Sequence, residues 1–598
     1  MDRRRRHAMI AGAAALLLSQ GCGTPAPSTS RSAGASSGAS PTRSAGASSG
    51  PSPTRSAPAT RGAGAAGPEV ELDSGRIRGV YDGDVARYRG IPYAQPPTGD
   101  LRWRPPRPVA RWRGVRDATT SGPACPQASE NPKESSEEED CLTLDVTVPR
   151  KADPRKADPR NAGSRNAGSR KTGGGKTGGG KTGGGSRPVM VWLHGGGFSA
   201  GRGADYDPRR LAVQGSAVVV TVEFRIGVLG YLALPGMSGG GTFGLQDQQA
   251  ALRWVRRNAA AFGGDAGNVT LFGESGGGIA TCGQLTAPGS RGLFHKAIIQ
   301  SGSCGTALLP NATGPGTPRY PFWRPLKETY AAARSAARQV GCPAGDDAGQ
   351  TLACLRGRPV KDLLELTGMF TAASYGGPAL PVSPERALRE GDFARVPVLT
   401  GHTGKEALLF AGVLSLLGRP VTDENLPDLL RQGFGRRAEE IARRYPRDEY
   451  ATPMEAWAAP NTDAMFACPH ARDGDALARG TKVFAYVFAD DTAPPFVPSL
   501  PGFPAGAGHA SELAYLFDVR DKPIDLDGEP VPLTETQLSV ARDMVAAWTS
   551  FARTGTPSSS GRAWRRWRPG ARVAHLITEQ PGSTATTPAP RCAHLDRP

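Results

Sequence analysis

Short apolar runs recur along the chain, at residues 188–193 (PVMVWL), 217–224 (AVVVTVEF), 268–272 (NVTLF) and 297–299 (AII). Continuous runs this short, rich in Val and Ile, predict strands buried on both faces. Ahead of them, Leu142, Leu144, Val146 and Val148 alternate with other residues, the period of a further strand. Residues 244–258 (GLQDQQAALRWVRRN) place Leu245, Leu252 and Val255 on one face of a helix. Strands that alternate with helices predict an α/β fold, a mostly parallel central sheet with helices on both faces. Ligand chemistry is then expected at the carboxyl ends of the strands.

Two stretches have almost nothing to bury. Residues 23–68 are Ser, Pro, Gly, Ala and Thr with a repeated RSAGASSG block, which predicts a disordered linker reaching roughly 40 Å. Residues 150–187 repeat KADPR, NAGSR and KTGGG. This insert joins the end of one predicted strand to the start of the next, whose far end carries His194 to Phe198, so it is expected on the side opposite that loop. Tethering or surface binding is the reading, with neutral repeat expansion as its alternative. Residues 1–22 combine four arginines, a ten-residue apolar run too short to span a bilayer, and Cys22 after Gly21. They read as a signal peptide for an exported chain. Cys22 points to lipidation and membrane anchoring at the cell surface, and cleavage nearby with free secretion is the alternative. Residues 69–598 are expected to form one large decorated domain.

Charge refines this picture only by its location. The formal net charge is +17. Residues 1–68 hold eight Arg against one Asp, and residues 150–187 hold eleven Lys or Arg against two Asp, which leaves about +1 for the rest. The expected partner is therefore no nucleic acid. No metal cluster or phosphate loop is legible, so no metal and no cofactor is expected, and no motif assigns an oligomeric state.

Candidate chemistry begins at Gly273-Glu274-Ser275-Gly276-Gly277, after a predicted strand and before a helical pattern. A serine on such a turn needs small neighbours and gains from the helix N-terminus beneath it. Gly195, Gly196 and Gly197 follow the strand at 188–193, where backbone N–H groups can point into a cavity as an oxyanion hole. Of eight histidines, six follow the serine, among them His402, His470, His509 and His594. His509 stands in the glycine-rich GAGHASEL, and Glu406 follows the strand-like 396–399. The order Ser, Glu, His is that of a hydrolase triad on this architecture.

Taken together these segments resemble the type-B carboxylesterases, the cholinesterase-like group of α/β-hydrolases, from about Glu69 to Trp567. The resemblance rests on RYRGIPYA at 87–94, EDCLTLDV at 139–146, HGGGF at 194–198, GLQDQ at 244–248 and FGESGGG at 272–278. It continues through GLFHKAIIQSGS at 292–303, GKEALLF at 404–410, GHASELAYLF at 508–517 and AWTSFARTGTP at 547–557. It implies Ser275 as nucleophile, His509 as base and Glu406 as acid, with Gly196, Gly197 and Gly276 as oxyanion hole and Ser301 behind the triad. It also implies disulfides Cys125–Cys141 and Cys342–Cys354. Cys282 with Cys304, which flank the nucleophile helix and the next strand, and Cys468 with Cys592 are what remains. The implied activity is hydrolysis of uncharged small-molecule carboxylic esters through an acyl-enzyme, without a cofactor. Activity is expected to fall below about pH 6 to 7 as His509 protonates.

Several departures bear on that expectation. Gly276 replaces the usual alanine and is expected to loosen the turn, Glu223 stands where Asn is common, and Lys405 replaces an acidic residue beside Glu406. No aromatic residue lies between Cys125 and Cys141, so the cation–π site that would favour a choline ester is not expected. Two alternatives stay open: a non-catalytic adhesion protein on the same fold, and hydrolysis of an amide, carbamate or lactone.

Overall fold

The computed structural model describes residues 67–129, 135–150, 186–494, 503–504, 506–519, 531–579, 584–586, 592 and 595. Cys22, the linker to residue 66 and the insert between Arg150 and Ser186 lie outside the described residues.

One eleven-stranded sheet organises the rest. Its strands are β1 (Val80–Asp82), β2 (Val85–Pro92), β3 (Thr143–Pro149), β4 (Arg187–Leu193), β5 (Val218–Val222), β6 (Gly264–Glu274), β7 (Lys296–Gln300), β8 (Val398–Thr403), β9 (Val483–Phe488), β10 (Val573–Ile577) and β11 (Thr584–Thr586). The spatial order is β11-β10-β9-β8-β7-β6-β4-β5-β3-β2-β1. The seven strands from β10 to β5 run parallel, while β11 closes one edge and β3, β2 and β1 the other in antiparallel register.

The alternation of side chains divides each buried run between two layers. Val189, Val191 and Leu193 of β4 face one core, with Val269 and Leu271 of β6 and Ala297 and Ile299 of β7. Met190, Trp192, Phe272 and Ile298 face the other. The first core is covered by α2 (Phe243–Asn258), through Leu245, Leu252 and Val255 as the periodicity requires, and by α3 (Gly276–Thr286). The second is covered by α1 (Arg209–Gly215) and α7 (Glu535–Thr554), whose Met544, Val545, Trp548 and Phe551 point inward. Between them in sequence lie α4 (Leu408–Leu416), α5 (Pro453–Thr462) and α6 (Cys468–Ala478). No helix of the described residues is long and apolar enough to cross a membrane.

All eight cysteines after Cys22 are paired, as Cys125–Cys141, Cys282–Cys304, Cys342–Cys354 and Cys468–Cys592. Trp254, Trp548, Trp564 and Trp567 are all buried. A fully desolvated ion pair ties α2 to the end of β5: Arg225 donates through Nε and Nη2 to Asp247, both at 2.7 Å, with the partners 2% and 0% exposed. Removing one partner strands a buried charge. Asp247→Ala is therefore expected to lower the unfolding free energy by about 3 to 5 kcal/mol, read from urea denaturation.

Candidate active site

The turn that carries Ser275 is one residue long. Ser275 sits between β6 and α3 with φ +53° and ψ −121°, a region that side-chain-bearing residues rarely adopt. Such strain costs of order 1 to 3 kcal/mol and persists only where the surroundings enforce it. Here the Ser275 amide donates to the Gln300 carbonyl at 3.0 Å, and the Ser275 carbonyl accepts from Ile279 at 2.9 Å. The neighbouring glycines are required by contact. A Cβ on Gly273 would lie 2.5 Å from the Gly277 backbone, and one on Gly277 would lie 2.0 Å from the Leu193 carbonyl oxygen. A Cβ on Gly276 would lie 2.8 Å from the Gly197 nitrogen, so the loop at 196–198 occupies the space an alanine would take. This close packing replaces the looseness expected at Gly276.

The loops after β6, β8 and β9 bring the three predicted residues into one line at the carboxyl edge of the sheet. His509 Nε2 lies 2.9 Å from Ser275 Oγ, and His509 Nδ1 lies 2.5 Å from Glu406 Oε2. Glu406 is fully buried, and its other oxygen accepts the Thr403 N–H at 2.8 Å. These two contacts fix the imidazole with its proton on Nδ1 and an acceptor nitrogen towards the serine.

Burial pushes the Glu406 carboxyl up, yet the His509 and His402 rings and the Thr403 amide outweigh it and hold the group below the ordinary carboxylate range. Burial likewise disfavours a charged His509, but the carboxylates of Glu274 and Glu406 prevail and raise it to about 9. Glu274 directly precedes Ser275. Its Oε1 approaches His509 Nε2 at 3.3 Å, and burial drives its own carboxyl well above the usual range. The pentapeptide thus brings a second carboxyl to His509, a placement that its position beside Ser275 did not suggest.

Gly196 and Gly197 adopt φ +100° and +58°, and a Cβ on Gly196 would lie 2.0 Å from the Ala200 carbonyl oxygen. Among the described residues, the amides of Gly196, Gly197 and Gly276 donate to no protein acceptor. They lie together where the 196–198 loop meets the start of α3. Ser301 is fully buried behind the turn, with φ +47° and its amide donating to the Gly401 carbonyl. His194 is held neutral: burial lowers it to about 4, its Nδ1 bonds the Gly195 carbonyl oxygen, and its ring stacks on Phe224. Lys405 turns away from Glu406 and pairs with Glu455 at 3.1 Å and Asp491 at 3.0 Å. Glu223 is buried and pushed up to about 8 by desolvation, with one oxygen accepting the Ala204 amide.

A buttress that the sequence did not announce runs past Glu406 and His509. Between α5 and α6 the helix loosens into a π-turn, Asp463–Ala467. Thr462 accepts the Ala407 amide at 3.0 Å, and the Phe466 ring packs 5.3 Å from that of His509. His470 meets Thr400 of β8 at 2.7 Å, and Asp473 accepts the Cys304 amide at 2.7 Å. Cys282–Cys304 then links that same loop to α3.

The sheet, its covering helices and the serine turn at its carboxyl edge define an α/β-hydrolase. Residues 66–593 match the Carboxylesterase family, and the chain belongs to it. It is 32% identical to the para-nitrobenzyl esterase of Bacillus subtilis (strain 168) over 86% of this chain and 95% of the relative. It is 31% identical to carboxylesterase 3 of Pongo abelii over 83% of this chain and 84% of that one. Cocaine esterase of Oryctolagus cuniculus is 30% identical, over 83% and 90%. A solved PNB esterase structure superposes with TM-score 0.66 at 28% identity, covering 89% of this chain and 99% of that one. The chain is a carboxylic ester hydrolase.

Proposed function

We propose that the protein is an exported serine carboxylesterase that hydrolyses uncharged carboxylic esters through an acyl-enzyme. The observation that carries this reading is the hydrogen-bonded line from Ser275 through His509 to Glu406, set beside three free amides. Ser275 Oγ attacks the ester carbonyl carbon as His509 Nε2 takes its proton. Negative charge passes to the carbonyl oxygen, where the amides of Gly196, Gly197 and Gly276 receive it; one such donor is typically worth ~3 kcal/mol. The intermediate collapses, the alcohol leaves with the proton from His509, and the acyl group stays on Ser275. Water then attacks that acyl group with His509 again as base, which releases the acid and restores the serine. Glu406 stays ionised and stabilises the imidazolium throughout. Export rests on the N-terminal segment, and lipidation at Cys22 is the anchoring route it supports.

The pH profile tests the electrostatics. The working base is neutral His509, so activity falls as pH drops through its pKa. The acid limb of kcat/KM is therefore expected above the pH 6 to 7 of an unperturbed imidazole, since His509 is raised to about 9. Glu274 and His509 titrate together: an ionised Glu274 raises the base, and Glu274→Gln removes that charge. That limb should then move down by about one pH unit or more. An unmoved limb would separate Glu274 from the base.

A further inference from the structure

The near-neutral balance of the folded part conceals an uneven distribution. Residues 555–572, which join α7 to β10, hold five arginines and no acidic residue. Trp564 and Trp567 turn into the core at 7% and 4% exposure, and this alternation leaves Arg562, Arg565, Arg566 and Arg568 exposed. Arg572 is taken by Asp475 at 2.7 Å. The other four have no carboxylate partner among the described residues.

The end of this loop reaches the amino edge of the parallel strands, away from Ser275, while its hairpin lies along α7, where Ser560 donates to Asp543. The Trp567 amide donates to the carbonyl of Val483, the first residue of β9. Gly555 packs against Pro397, just ahead of β8. Exposed Arg395, three residues ahead of β8, and exposed Lys482, directly ahead of β9, likewise lack a carboxylate partner among the described residues. Arg395, Lys482, Arg566 and Arg568 lie at the starts of three neighbouring strands, β8 to β10, two strand spacings or about 10 Å wide, with Arg562 and Arg565 on the adjoining hairpin. Arg150 and Arg187, which bracket the basic insert, lie at the same edge, because β3 ends and β4 begins there.

We propose that this edge is an electrostatic docking surface for a bilayer rich in acidic phospholipids, which would seat the protein with its Ser275 mouth facing away from the lipid. A rim of separated guanidinium groups suits an extended anionic plane better than a single phosphate, for which the cations would have to converge. Single-stranded nucleic acid would call for exposed aromatic rings to stack on, and both tryptophans are buried. The proposal does not depend on the esterase reading, because it uses no residue of that site.

The test is co-sedimentation of the full chain, carrying Cys22→Ser to exclude lipidation, with phosphatidylcholine vesicles with and without phosphatidylglycerol. Binding should require phosphatidylglycerol and be released by added salt. The combined variant R562Q/R565Q/R566Q/R568Q should bind at least about tenfold more weakly, while its p-nitrophenyl ester turnover and thermal midpoint stay unchanged. Three results would overturn the proposal: wild-type binding by that variant, no dependence on phosphatidylglycerol, or tighter binding to polyphosphate or single-stranded DNA than to the vesicles.

Discussion

Ser275→Ala is expected to lower kcat/KM for p-nitrophenyl butyrate by about 10⁴-fold or more, while the fold and the thermal midpoint are retained. Among the described residues, no other hydroxyl meets His509. Oγ is the atom His509 Nε2 meets at 2.9 Å, and Ser301, the other serine of the region, is sealed at 0% exposure behind the turn. The free amides would survive the change, so residual turnover above the uncatalysed rate is compatible with it. Equal turnover by mutant and wild type would end the serine-esterase reading. Mass spectrometry after a brief pulse of ester adds an independent check, because the wild-type protein should gain the acyl mass on the peptide containing Ser275.

The second large effect comes from a methyl group. Gly277→Ala would put a Cβ 2.0 Å from the Leu193 carbonyl oxygen and 2.7 Å from that of His194. Both acceptors are rigid backbone, one at the end of β4 and the other at the root of the glycine loop, so α3 must move away from the sheet. That motion separates Ser275 from His509 and Gly276 from Gly196 and Gly197 in one step. A displacement of about 1 Å in such a constellation costs of order 10²-fold, and two partners are lost here, so a fall of about 10³-fold in kcat/KM is expected. Gly276→Ala meets only the Gly197 nitrogen at 2.8 Å and should cost far less. If the two variants were equally active, the contact at Leu193 would not be what holds the turn.

The sheet was legible because its strands are buried on both faces. PVMVWL has no polar side to disguise it and NVTLF only Asn268 and Thr270, and β4 and β6 appear where those runs lie. The serine turn, Glu406 and His509 were readable for a different reason: each stands in a stretch whose small residues make sense only if backbone approaches backbone. Phe466 left no such mark. Its place against His509 depends on a π-turn, and one extra residue in a helical turn shifts the facing side chains without altering composition or period. The pairing of Glu274 with His509 was hidden similarly, since nothing in the sequence told which way that side chain turns. The pH expectation shifted for the same reason, because it assumed an ordinary imidazole. The arginine rim was masked by bookkeeping, for a whole-domain charge near zero says nothing about how cations and anions are arranged in space.

The placement of Arg150 and Arg187 has a practical side. Only β5 separates β3 from β4 in the sheet, so the chain leaves and re-enters across two strand spacings, about 10 Å. That gap matches the distance between the termini of many compact domains, and it opens on the face remote from the catalytic mouth. A binding module or a fluorescent reporter could replace residues 151–185 there without crowding the entrance, making this hydrolase a chassis that carries cargo on its back while it works.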